Sequence, residues 1–418
     1  MKRPQLIIAS GKEKALLRRH PWIFSGAVKR IEGEPQEGDM VDVVDARGQW
    51  LAVGHYQNES IICKVLSFDA DEAAIPVEEL LRRRIHSAVN YRVVLGFFDY
   101  QTASANSQFS IFNSQLTNVF RLVHAEGDYL PGLVADWYNG VLVLQAHSVG
   151  MHRLLPVLAE LFVQELQTYH GYPLKAVFDK SSATVPGGGV QDGIIWGEEI
   201  AENEVLENGI RLTVNFYEGQ KTGFFIDQRE NRALVQQLAA GRRLLNCFGY
   251  TGGFSLAALK GGADYVETVD ISKKAIALCE RNVEMNFGTD ASHRGVAADV
   301  LEYLNTVEVG DYARGFDFII LDPPAFAKNH RSLQQGLKGY RSINQRAMEK
   351  IAPGGLLMTF SCSQAVSKED FQTMVFTSAM NAGRRVRIVR QLPHAMDHPV
   401  SIHHPEGEYL KGLLLEVE

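Results

Sequence analysis

No stretch of the 418-residue chain strings together the roughly 18 apolar residues that a membrane-crossing helix needs. Its opening, MKRPQLIIASGKEKALLRRHPW, lacks the long apolar core of a secretory signal. Cysteine is scarce. Cys63, Cys247, Cys279 and Cys362 are too few and too scattered for a disulfide framework or a CxxC metal site. These absences exclude a disulfide-stapled secreted module and a helical membrane protein, and they predict a reduced, cytoplasmic protein without a metal. Internal repeats and low-complexity segments are missing too. Basic residues are outnumbered, 42 Lys and Arg against 49 Asp and Glu, a net charge of −7 that argues against a uniformly basic nucleic-acid binder.

The length points to two or three domains at roughly 150 residues each. A chain 45% hydrophobic and 22% charged is typical of a globular protein. The charge is unevenly spread. Residues 1–30 carry Lys2, Arg3, Lys12, Lys14, Arg18, Arg19, Lys29 and Arg30 against Glu13 alone, a local +7 that leaves −14 for the rest. Such asymmetry marks either a phosphate-facing patch or a solvated basic face.

Residues 1–75 alternate β-rich runs with turns. LIIA, MVDVVDARGQWLAVGHY and SIICKVLSF read as strands, with turns at Gly38-Asp39 and Ala46-Arg47-Gly48. A basic helical stretch, KEKALLRRH, follows the first strand, and together they predict a small β-barrel-like domain. Pro76, near the N-terminus of an acid-led helix, marks a boundary. Residues 77–190 predict a mixed α/β unit. It has a helix through 77–97, a polar loop QTASANSQ and a strand, hairpin and strand in FRLVHAEGDYLPGLVADWYNGVLVLQAHS. A helix over 151–168, a strand over 174–179 and an exit at Pro186-Gly187-Gly188-Gly189 complete it. The third domain spans 191–418. A strand pair in GIRLTVNFYEGQKTGFFID leads to the helix QRENRALVQQLAA. Strands and helices then alternate through RLLNCF, YVETVD, a short strand near 295, FDFIILD, GLLMTFSCS, RVRIVRQL and YLKGLLLEV. Continuous apolar strands separated by helices predict a doubly wound α/β sheet covered on both faces.

RLLNCFGYTGGFSLAAL sets Gly249, Gly252 and Gly253 between a strand and a helix, where glycine lets the backbone turn sharply against a ligand. The G-x-x-G-G spacing is not the G-x-G-x-x-G dinucleotide fingerprint, which disfavours a nicotinamide dehydrogenase. Asp270 ends the next strand, where a carboxylate can take both hydroxyls of a ribose. Asp299 follows the third strand, close to where an adenine amine would lie. The fourth strand ends in Asp322-Pro323-Pro324, with Phe326 just beyond. Prolines stiffen that loop and leave carbonyl oxygens for a substrate. Asp322 or those carbonyls suit the polar edge of a base, and Phe326 suits stacking on an extruded one. A structural proline turn remains the plain alternative.

The fifth strand ends at Ser361-Cys362-Ser363, in the same crevice. A thiolate there suits addition to a pyrimidine ring, whereas a free cysteine is more often a small buried hydrophobe. Cys63, Cys247 and Cys279 read as packing. Between these strands AKNHRSLQQGLKGYRSINQRA carries Lys328, Arg331, Lys338, Arg341 and Arg346 and no acid. That suits a nucleic-acid backbone, although a basic solvent face would look the same.

NCFGYTGGF, VETVD, LDPPAF, FSCS and the upstream KTGFFIDQRENR together resemble the bacterial S-adenosylmethionine-dependent 23S rRNA cytosine-5 methyltransferases of the large-subunit methyltransferase I type. GKEKALLRRHPWIFSGAV resembles the N-terminal RNA-binding PUA domain of that family, and the tail DHPVSIHHPEGEYLKGLLLEV is also similar. The resemblance covers nearly the whole chain and is weakest over 95–125. It implies a PUA-like barrel, a mixed α/β middle domain and a Rossmann-like, seven-stranded methyltransferase sheet. It also implies S-adenosylmethionine as cofactor and 23S rRNA as partner, with no membrane partner; a homodimer stays open. By position, Phe248, Gly249 and Gly252 would line the methionine part of the cofactor. Asp270 and Ile271 would hold the ribose, and Asp299 and Val300 the adenine. Asp227, Gln228 and Arg229 would close over it. Asp322 would face the methyl group and the base. Pro323, Pro324, Phe326, Lys328, Arg331, Lys338 and Arg341 would meet the RNA.

The resemblance makes Cys362 the nucleophile that adds to carbon 6 of cytosine and renders carbon 5 reactive. Many RNA cytosine-5 enzymes carry a second cysteine in the fourth-strand loop to assist elimination. DPPAF has none, so the base that removes the carbon 5 proton is unassigned. Two alternatives stay open. One is nitrogen methylation of guanine or adenine, which would use DPPAF without Cys362. The other is a non-catalytic RNA-binding assembly factor.

Overall fold

In the computed structural model the described residues are 3–98, 116–167, 173–200, 202–306 and 315–418, so the expected loop QTASANSQ lies outside them. Two compact units emerge. One takes Met1–Leu206, Val214–Ile226 and Met396–Gly407; the other takes Glu207–Thr213, Asp227–Ala395 and Glu408–Glu418.

The first unit begins with β1 (Gln5–Ile8), α1 (Lys14–Leu17), β2 (Trp22–Phe24), β3 (Val28–Glu32), β4 (Met40–Val44), β5 (Trp50–Tyr56) and β6 (Ile61–Ser67). The strands form a sheet in the order β2-β6-β5-β4-β1-β3, closed over inward-facing Leu6, Ile8, Val41, Val43 and Val65. The basic stretch yields a single helical turn that buries only Leu16.

After α2 (Ala70–Ala74) comes α3 (Val77–Leu95). It starts behind Pro76 with Glu78 and Glu79 at its positive end, and stops at Gly96, φ 89°. A second sheet follows: β7 (Val119–His124), β8 (Leu133–Tyr138), β9 (Val141–Ala146), β10 (Ala176–Asp179) and β11 (Gly193–Gly197), with α4 (Val149–Arg153) and α5 (Leu155–Leu166) between β9 and β10. The single helix expected over 151–168 is two helices. Pro156 opens the second, since its missing N–H cannot continue the first. Buried charges lock this sheet. Arg92 grips Asp128 through both carboxylate oxygens at 2.5 and 2.9 Å, and Arg121 grips Asp136 at 2.8 and 2.9 Å. Asp397 accepts the Arg121 N–H at 2.8 Å and so ties in the segment 396–407.

Contacts cross the expected boundary at 75–77 within the first unit. The Trp22 indole donates to Glu126 at 2.8 Å, Arg84 meets Glu72 at 2.5 Å, and a side chain at Gly38 would strike the Gly150 main chain. Much of 191–226, together with 396–407, expected in the third domain, groups with the first unit instead. The chain passes through a hairpin of β12 (Asn203–Glu207) and β13 (Ile210–Val214), turned at Asn208-Gly209 with φ 50° and 71°. This corrects the expected pairing of GIRLTV with KTGFFID. The partner strand lies upstream, across the Asn-Gly turn, and TGFFID ends in a 3-10 turn, Ile226–Gln228.

The second unit holds α6 (Arg229–Leu238), β14 (Arg243–Cys247), α7 (Gly253–Lys260), β15 (Tyr265–Asp270), α8 (Lys273–Phe287), β16 (His293–Ala297), α9 (Val300–Thr306), β17 (Phe318–Leu321), α10 (Leu333–Lys350), β18 (Gly355–Ser361), α11 (Lys368–Ala382), β19 (Val386–Leu392) and β20 (Lys411–Val417). The seven strands run β16-β15-β14-β17-β18-β20-β19, with β20 antiparallel to both its neighbours. Strand β17 shows why its run is apolar throughout. Phe318 and Ile320 enter one core with Val235 and Phe254, while Ile319 and Leu321 enter another with Tyr340 and Met374. Edge strand β19 is largely exposed and carries Arg387 and Arg390. Strand order reverses between β14 and β17, which opens a crevice at their carboxyl ends. Among the described residues no helix is long and apolar enough to cross a membrane.

Candidate active site

Strand β14 feeds a strained loop. Phe248 (φ 59°) and Tyr250 (φ 47°) hold left-handed backbone although neither is glycine. Gly252, φ 87°, then starts α7. A side chain at Gly252 would collide with Cys279 Sγ, and one at Gly249 with Thr268. Packing against β15 and α8 therefore demands both glycines. Gly252→Ala is expected to cost about 1–3 kcal/mol of stability, read from urea unfolding, through collision and strain together.

Both oxygens of Asp270 are engaged at one lone pair each, by the N–H groups of Tyr250 and Ser272, each at 2.9 Å. This fixes the carboxylate and leaves its other lone pairs for ligand hydroxyls. Ile271 beside it is 74% exposed. Asp299 is exposed and caps the first turn of α9, accepting the Glu302 N–H at 3.0 Å. Val300 is buried in the core. Two fixed carboxylates on successive strand ends, with an exposed aliphatic side chain between them, are a donor set that fits a nucleoside.

Beyond the strand reversal, Asp322 accepts a hydrogen bond from Gln228 at 3.1 Å; Asn231 in turn donates to Gln228 at 2.6 Å. The Tyr409 hydroxyl donates to Asp227 at 2.6 Å. Arg229 lies elsewhere. It is wholly buried, with Nε 4.0 Å from Glu207, which also takes Arg232 through two bonds at 2.5 and 2.6 Å. Arg229 thus braces the start of α6, with Glu230 3.7 Å from its Nη1.

Cys362 is half-buried at the end of β18, its Sγ 3.9 Å from the Pro323 carbonyl oxygen. The other three cysteines are buried. Burial pushes the Cys279 thiol up to about 12 and raises those of Cys63 and Cys247 strongly. They are packing residues, as expected. Ser363 shares a 2.8 Å hydrogen bond with the Tyr340 hydroxyl and accepts the Ala327 N–H at 3.1 Å, which laces the two loops together. Gly336 and Gly339 of α10 give Ala327 and Phe326 room to lie against the helix. Phe326 is half-buried, its ring 4.7 Å from Tyr340 and 6.3 Å from Phe248. Pro323 is buried and Pro324 exposed. Lys328, Arg331 and Lys338 are exposed, Arg341 is half-buried, and Arg346 pairs with Glu349 at 2.8 Å.

Sequence reasoning gave no role to Tyr340, Ser363, Tyr409 or Lys411. Lys411 left a signal: it is the one charge before Glu416 in the strand KGLLLEV, and it sits opposite Ser361. Its ammonium donates to the carbonyls of Ser363 at 2.6 Å and Tyr409 at 2.7 Å.

Comparison with known proteins fits this geometry. Residues 120–399 match the S-adenosylmethionine-dependent methyltransferase family, and residues 6–68 match a PUA-like domain. The chain is 39% identical to the ribosomal RNA large subunit methyltransferase I of Tolumonas auensis over 97% of both chains. It is 38% identical to the protein of that name from Yersinia pestis over 99% of both. A candidate S-adenosylmethionine-dependent methyltransferase of known structure from Streptococcus mutans shares the fold across the full length of both chains, with a TM-score of 0.80 at 21% identity. The chain is therefore an S-adenosylmethionine-dependent methyltransferase and belongs to the ribosomal RNA large subunit methyltransferase I family.

Proposed function

We propose that the enzyme methylates carbon 5 of a cytosine in the RNA of the large ribosomal subunit, in the cytoplasm, with Cys362 as the covalent nucleophile. The observation that carries this reading is the placement of Cys362. Of the four cysteines it alone is partly open, at the carboxyl edge of the sheet and against the Asp322-Pro323-Pro324 loop. The names of the relatives support the RNA. S-adenosylmethionine supplies an electrophilic methyl group when bound. Phe248, Gly249 and Gly252 would line its methionine end, Asp270 and Ile271 its ribose, and Asp299 with Val300 its adenine. Asp227 and Gln228 fix the near wall through Tyr409 and Asp322.

The Cys362 thiolate forms a bond to carbon 6, and the ring electrons shift so that carbon 5 becomes nucleophilic. Asp322, protonated or through a relay, hydrogen-bonds nitrogen 3 as negative charge builds there. Once carbon 5 carries the methyl group, loss of its proton to a base restores the double bond and expels the thiolate. Pro324 and Phe326 border the base, and Lys328, Arg331, Lys338 and Arg341 attract the RNA backbone. The test is nucleoside analysis of unmodified large-subunit RNA treated with enzyme and labelled cofactor. The expected product is 5-methylcytidine. Label on a guanine or adenine nitrogen overturns the reading, and unlabelled RNA favours a binding factor.

A further inference from the structure

An ordinary thiol is only a few per cent ionised at pH 7, so a cysteine nucleophile needs a nearby cation or base. Strand β20 brings an ammonium to the carbonyl of Ser363, the residue after Cys362. Lys411 stands opposite Ser361, the residue before Cys362, and is buried. Its hydrogen bonds go to the carbonyls of Ser363 and Tyr409, and among the described residues it makes no ion pair with a carboxylate. Burying an ammonium without a counter-anion is costly. The nearby acid, Glu408, is held by Lys368 at 2.6 Å. The Tyr340 phenol from α10 and the Asp322 loop, whose Pro323 carbonyl meets the Cys362 sulfur, also face Cys362.

We propose that Lys411 is the positioning charge of the Cys362 nucleophile, its ammonium clamped by two main-chain carbonyls as the counterion of the thiolate. This rests on the reading of Cys362 as nucleophile. On ionisation the S–H bond breaks, its electron pair stays on sulfur and the proton goes to water; Lys411 keeps its own proton throughout. Burial lowers Lys411 to about 8, with Cys362 and Glu408 opposing that shift and the Lys368 cation adding to it, so it stays mostly charged at neutral pH. When Cys362 leaves the base again, the same ammonium receives the returning negative charge. Lys411 touches neither base nor cofactor in this scheme; it acts through Cys362.

The experiment is alkylation of the full-length protein by iodoacetamide across pH, with modification at Cys362 followed by peptide mass spectrometry. It needs neither RNA nor cofactor. Lys411→Met is expected to slow Cys362 alkylation about tenfold at pH 7 and to raise the pH midpoint by about one unit. Lys411→Arg, which cannot lose its charge, keeps the midpoint low. An unchanged midpoint in Lys411→Met overturns the proposal even if the enzyme makes 5-methylcytidine. If Lys411→Met fails to fold, Lys411→Arg decides: a midpoint near 8.5, that of an ordinary thiol, overturns it, and a low one supports it. A shifted midpoint in Lys411→Met alongside an active Cys362→Ala enzyme would sink the nucleophile reading and leave the charge pairing standing.

Discussion

Cys362→Ala is expected to lower methyl transfer by about three orders of magnitude or more, with S-adenosylmethionine binding retained. Carbon 5 of cytosine is a poor nucleophile until carbon 6 carries an electron-rich substituent, so removing the thiol removes the activated ring itself. The variant should fold. Cys362 packs at the margin of its apolar cluster, half-buried, with its sulfur 3.9 Å from the Pro323 oxygen. The cofactor groups lie on other strand ends, at Phe248–Gly252, Asp270 and Asp299, and should be undisturbed. Calorimetric titration of the cofactor beside a methyl-transfer assay checks both halves. An active alanine variant would move the chemistry to the Asp322-Pro323-Pro324 loop and favour nitrogen methylation.

Glu207→Ala is expected to cost about 3–5 kcal/mol of stability, read from urea unfolding. Glu207 is buried and serves two guanidinium groups, Arg232 through a bidentate pair and Arg229 at 4.0 Å. Removing it takes the buried carboxylate from both cations and leaves Arg229 with Glu230 at 3.7 Å. Glu207→Gln retains a hydrogen-bonding oxygen and should lose less. The effect should reach the site, because α6 begins at Arg229, directly after Gln228, the donor to Asp322. A loosened α6 frees that donor, so surviving Glu207→Ala enzyme should also bind the cofactor less tightly.

The parallel strands were legible in the sequence because a strand buried on both faces must be apolar at every position, as FIIL of β17 is. The carboxyl ends of such strands then pointed to Asp270, Asp322 and Cys362 without any knowledge of pairing. Antiparallel β20 was harder to place. Its insertion between β18 and β19 brings Lys411 to Ser363 across 48 residues, a contact set by pairing that local pattern does not encode. TGFFID misled for a local reason. Its apolar residues suggest a strand, but Lys221 and Gly223 hold positive φ, and Phe224 and Ile226 are buried outside any strand. The pairing of Arg229 and Arg232 with Glu207 was not legible either, since it joins α6 to a strand more than twenty residues upstream. The grouping of 396–407 with the first unit rests on Asp397 reaching Arg121, which no composition shift announces.

The most direct test of the central claim is covalent capture. Large-subunit RNA carrying 5-fluorocytidine, incubated with enzyme and S-adenosylmethionine, should stop after methyl transfer, because fluorine cannot leave carbon 5 as a proton does. The account predicts a denaturation-stable protein–RNA adduct whose peptide maps to Cys362 and which is absent in Cys362→Ala. Full methylation of ordinary RNA with no adduct on the fluorinated strand, or an adduct mapping to another residue, would contradict it.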